Sequence, residues 1–94
     1  MGDNRFEWDD TKAAANLRKH GVSFEEAAEA LRDPFSLTQD DLLHSTEKAR
    51  SITLGYSERF RMVMVVHTSR GLRERIISAR KATAVEERSY HLPR

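Results

Sequence analysis

Arg61-Met-Val-Met-Val-Val-His67 and Arg75-Ile-Ile-Ser-Ala-Arg-Lys81 are the two runs that decide the fold of this chain. The first is apolar on both faces from Met62 to Val66, as expected of a central strand covered on both sides, and Ser69-Arg70-Gly71 offers a tight return. Residues 73–81 then come back as its neighbour. Upstream, Ile52, Leu54 and Tyr56 alternate with Ser51, Thr53 and Gly55. Residues 50–57 therefore read as a half-buried strand, and Ser57-Glu-Arg-Phe60 turns it into strand 60–68. The three strands make an antiparallel meander.

Working outward, Phe6-Glu7-Trp8 is a brief alternating run with Phe6 and Trp8 on one face, and Asp9-Asp10-Thr11 supplies N-cap oxygens. A helix is predicted over 12–20, with Ala13, Ala14 and Leu17 inward and Gly21 at the left-handed position after its end. Ser23-Phe-Glu-Glu26 is a capping box, in which the Ser hydroxyl accepts from the third amide and Glu26 reaches back to the Ser amide. It opens a second helix whose Phe24, Ala27, Ala28 and Leu31 form one stripe, stopped by Asp33-Pro34. These two helices form a short hairpin. Residues 35–38 read as a strand and 39–48, with His44, as a mobile loop. Thr83-Ala-Val-Glu86 repeats the capping box and starts a last helix to about Tyr90. The order strand, two helices, four strands, helix indicates a single α+β domain over 1–94, built as two layers around one core.

Charge is divided unevenly along this order. Residues 59–94 hold nine Lys and Arg against three Asp and Glu, and residues 1–58 hold seven against twelve, so a net charge of +1 conceals a dipole. A basic half points to a polyanion, with nucleic acid first, and an acidic half to a basic partner. The chain has no cysteine, which excludes disulfides and thiolate metal sites and fits a reducing compartment. It also lacks any apolar run near the ~20 residues of a membrane span, and Met-Gly-Asp-Asn-Arg-Phe6 lacks a signal peptide's apolar segment. A cytoplasmic protein with no membrane association is expected.

Several strings in this order resemble the BrnT family of bacterial toxins. They are Phe6-Glu-Trp-Asp9 with Lys12 and Asn16, Lys19-His-Gly-Val-Ser-Phe-Glu-Glu-Ala27, Asp33-Pro34, His67-Thr68, and Arg75-Ile-Ile-Ser-Ala-Arg-Lys-Ala82. The likeness covers nearly the full length, and only 39–48 departs from it. The resemblance implies a RelE-like fold and a type II toxin–antitoxin module whose toxin cleaves RNA without a metal or other cofactor. It further implies neutralisation by a BrnA-like antitoxin carrying a ribbon-helix-helix segment. Operator DNA would be met only through that antitoxin, and a dimer within the complex stays open.

Metal-free RNA cleavage needs a proton acceptor for the 2′-hydroxyl, a proton donor for the leaving oxygen, and cations around the phosphorane. Imidazoles suit proton transfer and guanidiniums suit phosphate. The expected catalytic set is His67, Arg61, Arg80 and His20, with Lys19, Arg73, Arg75 and Lys81 holding RNA and no metal ligands. His67, Arg61, Arg80 and Lys81 would line one phosphate site, approached by Lys19 and His20 from the end of the first helix. Parity puts Arg61, Val63, Val65 and His67 on one strand face, but which faces of the neighbouring strands coincide stays open. Each residue also has a plainer role. Arg61 and Arg73 would be solvated, His67 would edge the core, Lys19 and His20 would offset a helix dipole, and Arg80 would pair with Glu86 or Glu87. Trp8, Met62 and Met64 fit the core, and Glu7, Asp9 and Asp10 fit helix capping. A non-catalytic nucleic-acid-binding or protein-interaction module is the alternative function.

Overall fold

The computed structural model describes residues 4–41 and 49–93. Its order is β1 (Phe6–Glu7), α1 (Asp10–His20), α2 (Phe24–Leu31), β2 (Leu37–Asp40), β3 (Ser51–Tyr56), β4 (Met62–Arg70), β5 (Arg73–Lys81) and α3 (Ala84–His91). The predicted order of elements holds. Two strands lie two residues later than expected, β2 at Leu37–Asp40 where 35–38 is predicted and β4 at Met62–Arg70 where 60–68 is predicted, and residues 42–48 of the predicted loop, His44 included, lie outside the described residues.

The strands form one sheet in the order β1-β5-β4-β3-β2. β2 to β5 are the antiparallel meander, whereas β1 joins the β5 edge in parallel, pairing Phe6 with Glu74 and Glu7 with Arg75. The sheet is therefore mixed. β1 covers only the first part of β5, so on the side away from β4 the backbone of Ala79 has no strand beside it. Asn16 of α1 takes that place: its Nδ2 donates to Ala79 O (2.8 Å) and Val22 O (2.9 Å), and its Oδ1 accepts from Ala79 N (3.1 Å). Ala13 does face the core, but Ala14 and Leu17 are exposed and the buried residue of α1 is Asn16, so the inward stripe expected for this helix is corrected. Satisfying a strand edge outweighed apolar propensity.

The core lies between the sheet and the α1–α2 pair. Val63 and Val65 of β4 and Ile76 and Ala79 of β5 pack on Val22, Phe24, Ala27, Ala28 and Ala30, with Phe6 and Trp8 closing one side. Trp8 meets Phe24 edge-on at 6.1 Å. A slip in register between Val66 and His67 leaves Ile77 as an extra residue, which lets Ile76 and Ala79 share this face. α2 comes close to β3 because residue 55 is glycine; a Cβ there would sit 2.3 Å from the Ala30 carbonyl oxygen.

The other sheet face carries Leu54, Met64 and Arg80, which are register partners, and α3 lies against it. Two layers thus become three, with helices on both faces, which accounts for the two-sided apolar pattern of β4. α3 has its full capping box, with Thr83 Oγ1 accepting from Glu86 N and Glu86 accepting from Thr83 N. At its other end, Tyr90 donates to Asp33 Oδ2 (2.6 Å) and packs edge-on against Tyr56. Among the described residues no helix is long and apolar enough to cross a membrane.

Candidate functional site

The C-terminal end of α1, the β3–β4 turn and the end of β5 meet at one end of the sheet. A buried carboxylate joins the first two. Ser23 caps α2 by accepting from Glu26 N, but the Glu26 side chain does not return to the Ser23 amide as the sequence pattern predicts. It is 1% exposed and accepts from the Arg61 guanidinium in two-point fashion, through Nε (2.8 Å) and Nη2, and from the Ser57 hydroxyl (2.8 Å). A charge-assisted, two-point pair with a guanidinium outcompetes a neutral amide donor for this carboxylate. Its hydrogen bonds from Arg61 hold the Glu26 carboxyl below its ordinary value, against the opposing effect of burial. Arg61 Nη2 also donates to the Gly21 carbonyl (3.0 Å), so the last turn of α1, with Lys19 and His20, is tied to this spot. Nη1 lies outside all three contacts.

Beside Arg61, a cavity of about 250 Å³ is lined by Tyr56, Phe60, Lys81 and Glu87. Phe60 has φ +61° and is 90% exposed. Lys81 is exposed at the end of β5, opposite Val63. His91 Nε2 lies 3.4 Å from the Tyr56 hydroxyl.

The other expected site residues are elsewhere. Arg80 points to the α3 face, where its guanidinium donates to both Glu86 carboxylate oxygens (3.0 and 2.9 Å). That contact raises the Arg80 pKa and lowers that of Glu86. The salt-bridge alternative for Arg80 is the one formed, with Glu86 and not Glu87. His67 shares a face with Arg61 but stands six residues along β4, roughly 20 Å away at about 3.3 Å per residue. Its Nε2 is 2.7 Å from Thr53 Oγ1 and its Nδ1 2.6 Å from Glu74 Oε2. Arg73 pairs in register with Arg70 at the far hairpin, and Arg75 donates to Glu7 (3.0 Å). Glu7 is thereby a strand-to-strand ion-pair partner and not a helix cap, while Asp9 caps α1 by accepting from Lys12 N.

A single phosphate site of His67, Arg61, Arg80 and Lys81 is therefore not formed. Opposite parity separates Arg80 from Arg61, and strand length separates His67 from both. What the fold does bring together is Arg61, Lys81 and the Lys19-His20 turn. Phe60 and Glu87 also line this cavity and are not in the expected set. An aromatic between two arginines in a turn with no Gly or Asn was the available signal for the first; nothing local marked the second. Among the described residues no group of three or more His, Cys, Asp or Glu gathers as metal ligands would.

Residues 8–86 match the family described as ribonuclease toxin, BrnT, of type II toxin–antitoxin system. Among solved structures the chain is similar to the Brucella abortus ribonuclease toxin BrnT, with a TM-score of 0.64 and 21% identity over 83% of this chain and 95% of that one. At that identity the likeness speaks for the fold. No curated protein matches the chain. The family match runs from Trp8, at the edge of the core, to Glu86, the Arg80 partner, and so takes in strands β2 to β5 and both core helices: this chain belongs to the BrnT family of ribonuclease toxins.

Proposed function

We propose that this chain is a cytoplasmic endoribonuclease of RelE-like type, cutting RNA without a metal at the end of the sheet where α1, the β3–β4 turn and β5 meet. The observation that carries this reading is the shared cavity of Arg61 and Lys81 beside the Lys19-His20 turn, in a chain of a ribonuclease toxin family. Lys81 and Lys19 hold the phosphate. Arg61 is kept in place by Glu26 and presents its remaining N–H groups to the developing charge. His20 and the Glu87 carboxylate are the proton-transfer groups at this end. A BrnA-like antitoxin with a ribbon-helix-helix segment neutralises the enzyme by covering this basic end, and the toxin–antitoxin complex meets operator DNA through that segment.

The test is cleavage of single-stranded RNA by the purified chain in EDTA, in wild type and Lys81→Ala. Cleavage that survives EDTA and falls at least tenfold in the variant supports the reading. Loss of activity in EDTA with recovery on adding magnesium overturns metal independence. The alternative, a nucleic-acid-binding module, is favoured by one observation: Arg61 and Arg80 are both engaged by carboxylates. Under that alternative the wild type binds RNA and leaves it uncut.

A further inference from the structure

We propose that Phe60 is a stacking platform for one unpaired nucleobase of the RNA substrate, whose adjoining phosphate lies against Lys81. This rests on the ribonuclease reading above. Among the described residues Phe60 is the one non-glycine with positive φ, at +61°. A bulky side chain in that region is conformationally disfavoured, and glycine or asparagine would relieve it. Packing does not offset the cost, since the residue is 90% exposed.

The conformation persists because its surroundings over-determine it. Ser57 N donates to Arg61 O (2.8 Å) and Phe60 N to Ser57 O (3.1 Å), closing the turn. Ser57 Oγ accepts from Arg59 N (3.2 Å) and Arg61 N (3.4 Å) while donating to buried Glu26. Glu26 in turn holds the Arg61 guanidinium. The turn on either side of Phe60 is pinned to the interior and its ring is held outward. Strained backbone kept in place by such a network is a property of ligand clamps.

The chemistry of the surroundings selects the ligand. Phe60 stands between Arg59 and Arg61 and shares its cavity with Lys81 and Tyr56, with Glu87 as the acidic member. An exposed aromatic side chain sharing its cavity with the Lys81 ammonium matches a base joined to a phosphate, and stacking accepts any base because each has a π-face. A purely apolar protein segment would gain nothing from the cations.

The test uses the full chain as wild type, Phe60→Gly, Phe60→Trp, and Phe35→Ala as a control that removes another exposed aromatic. Cleavage rate is read on single-stranded RNA, affinity on its 2′-O-methyl counterpart, which has no hydroxyl to attack, and the fold by thermal unfolding. Phe60→Gly relieves the backbone, so its unfolding temperature equals or exceeds that of wild type, while affinity and cleavage each drop by about tenfold, the size of one base stack. Phe60→Trp binds as tightly as wild type or more so. Phe35→Ala changes neither RNA readout. Unchanged affinity and cleavage in Phe60→Gly, or weaker binding by Phe60→Trp, overturns the proposal. A wild type that neither binds nor cuts RNA marks failure of the ribonuclease reading itself.

Discussion

His67 Nδ1 lies 2.6 Å from Glu74 Oε2, and this contact sits within a hydrogen-bonded file that crosses four strands. From the surface of β2 it runs through Thr38 Oγ1 and Thr53 Oγ1 (2.7 Å) to His67 Nε2 (2.7 Å), then from Nδ1 to Glu74 and on to the Ser69 hydroxyl (2.8 Å). With Nδ1–H donating to the carboxylate, Nε2 accepts from Thr53, whose oxygen accepts from Thr38. Every member is satisfied, so the file stitches the sheet together.

His67→Ala removes the centre of that file and leaves the 2%-exposed Thr53 hydroxyl without its acceptor. The expected loss is about 2–3 kcal/mol of unfolding free energy, as for buried polar groups stripped of partners. Urea unfolding checks it. Cleavage per folded molecule should stay within about threefold of wild type. An imidazole at the scissile phosphate would instead cost on the order of a hundredfold or more at unchanged stability.

The Glu26–Arg61 pair makes stability depend on acid. Hydrogen bonds from Arg61 lower the Glu26 pKa, and burial only partly opposes them. A depressed folded-state pKa contributes stability that is fully present above the unfolded value, here ordinarily 4.5, and is lost as pH falls from there through the folded value. Glu26→Gln should cost about 2 kcal/mol at pH 7, less than a fully buried pair because Arg61 is 34% exposed. Its deficit should shrink as pH drops below 4.5. A deficit that stays constant between pH 7 and pH 3 would show the pair to be unlinked to stability.

Much of the fold was legible because local signals agreed with one another. Gly21, Asp9, Thr83 and the two-sided apolar run of β4 each did what their chemistry predicts. The site was less legible for a geometric reason. Strand parity tells which residues of one strand share a face, but the face of Arg80 relative to Arg61 depends on register and on the slip at Val66 and His67, which are set by long-range pairing. Glu26 shows the same limit in a helix. Its spacing from Ser23 reads as a capping box, and only the tertiary approach of Arg61 reassigns its carboxylate.

Asn16 supplies both a donor and an acceptor to the bare edge of β5, so the two functions separate by substitution. Asn16→Ala leaves Ala79 N–H and two carbonyls without their partner and should cost about 2–3 kcal/mol. Asn16→Asp keeps an acceptor for Ala79 N–H but sets a carboxylate against the Ala79 and Val22 carbonyl oxygens. It should be the worse of the two at pH 7 and improve as the pH is lowered. Unfolding midpoints of both variants between pH 4 and pH 8 decide this, and an Asp variant no less stable than Ala at pH 7 would contradict it.

Lys81 is the exposed cation at the β5 end of the cavity, next in sequence to Arg80, whose guanidinium is occupied by Glu86. The pair makes an internal comparison of two adjacent cations on opposite faces. Each phosphate contact removed from a single-stranded complex lowers the slope of log K against log salt by about 0.7. Lys81→Ala should therefore weaken RNA binding and reduce that slope by roughly this amount. Arg80→Ala should leave the slope unchanged while lowering the unfolding temperature, because it strips Glu86 of its partner and loosens the start of α3. Salt titrations of both variants on the same oligonucleotide measure this. A slope change in Arg80→Ala equal to that in Lys81→Ala would place the RNA on the α3 face and displace the site from the end of the sheet.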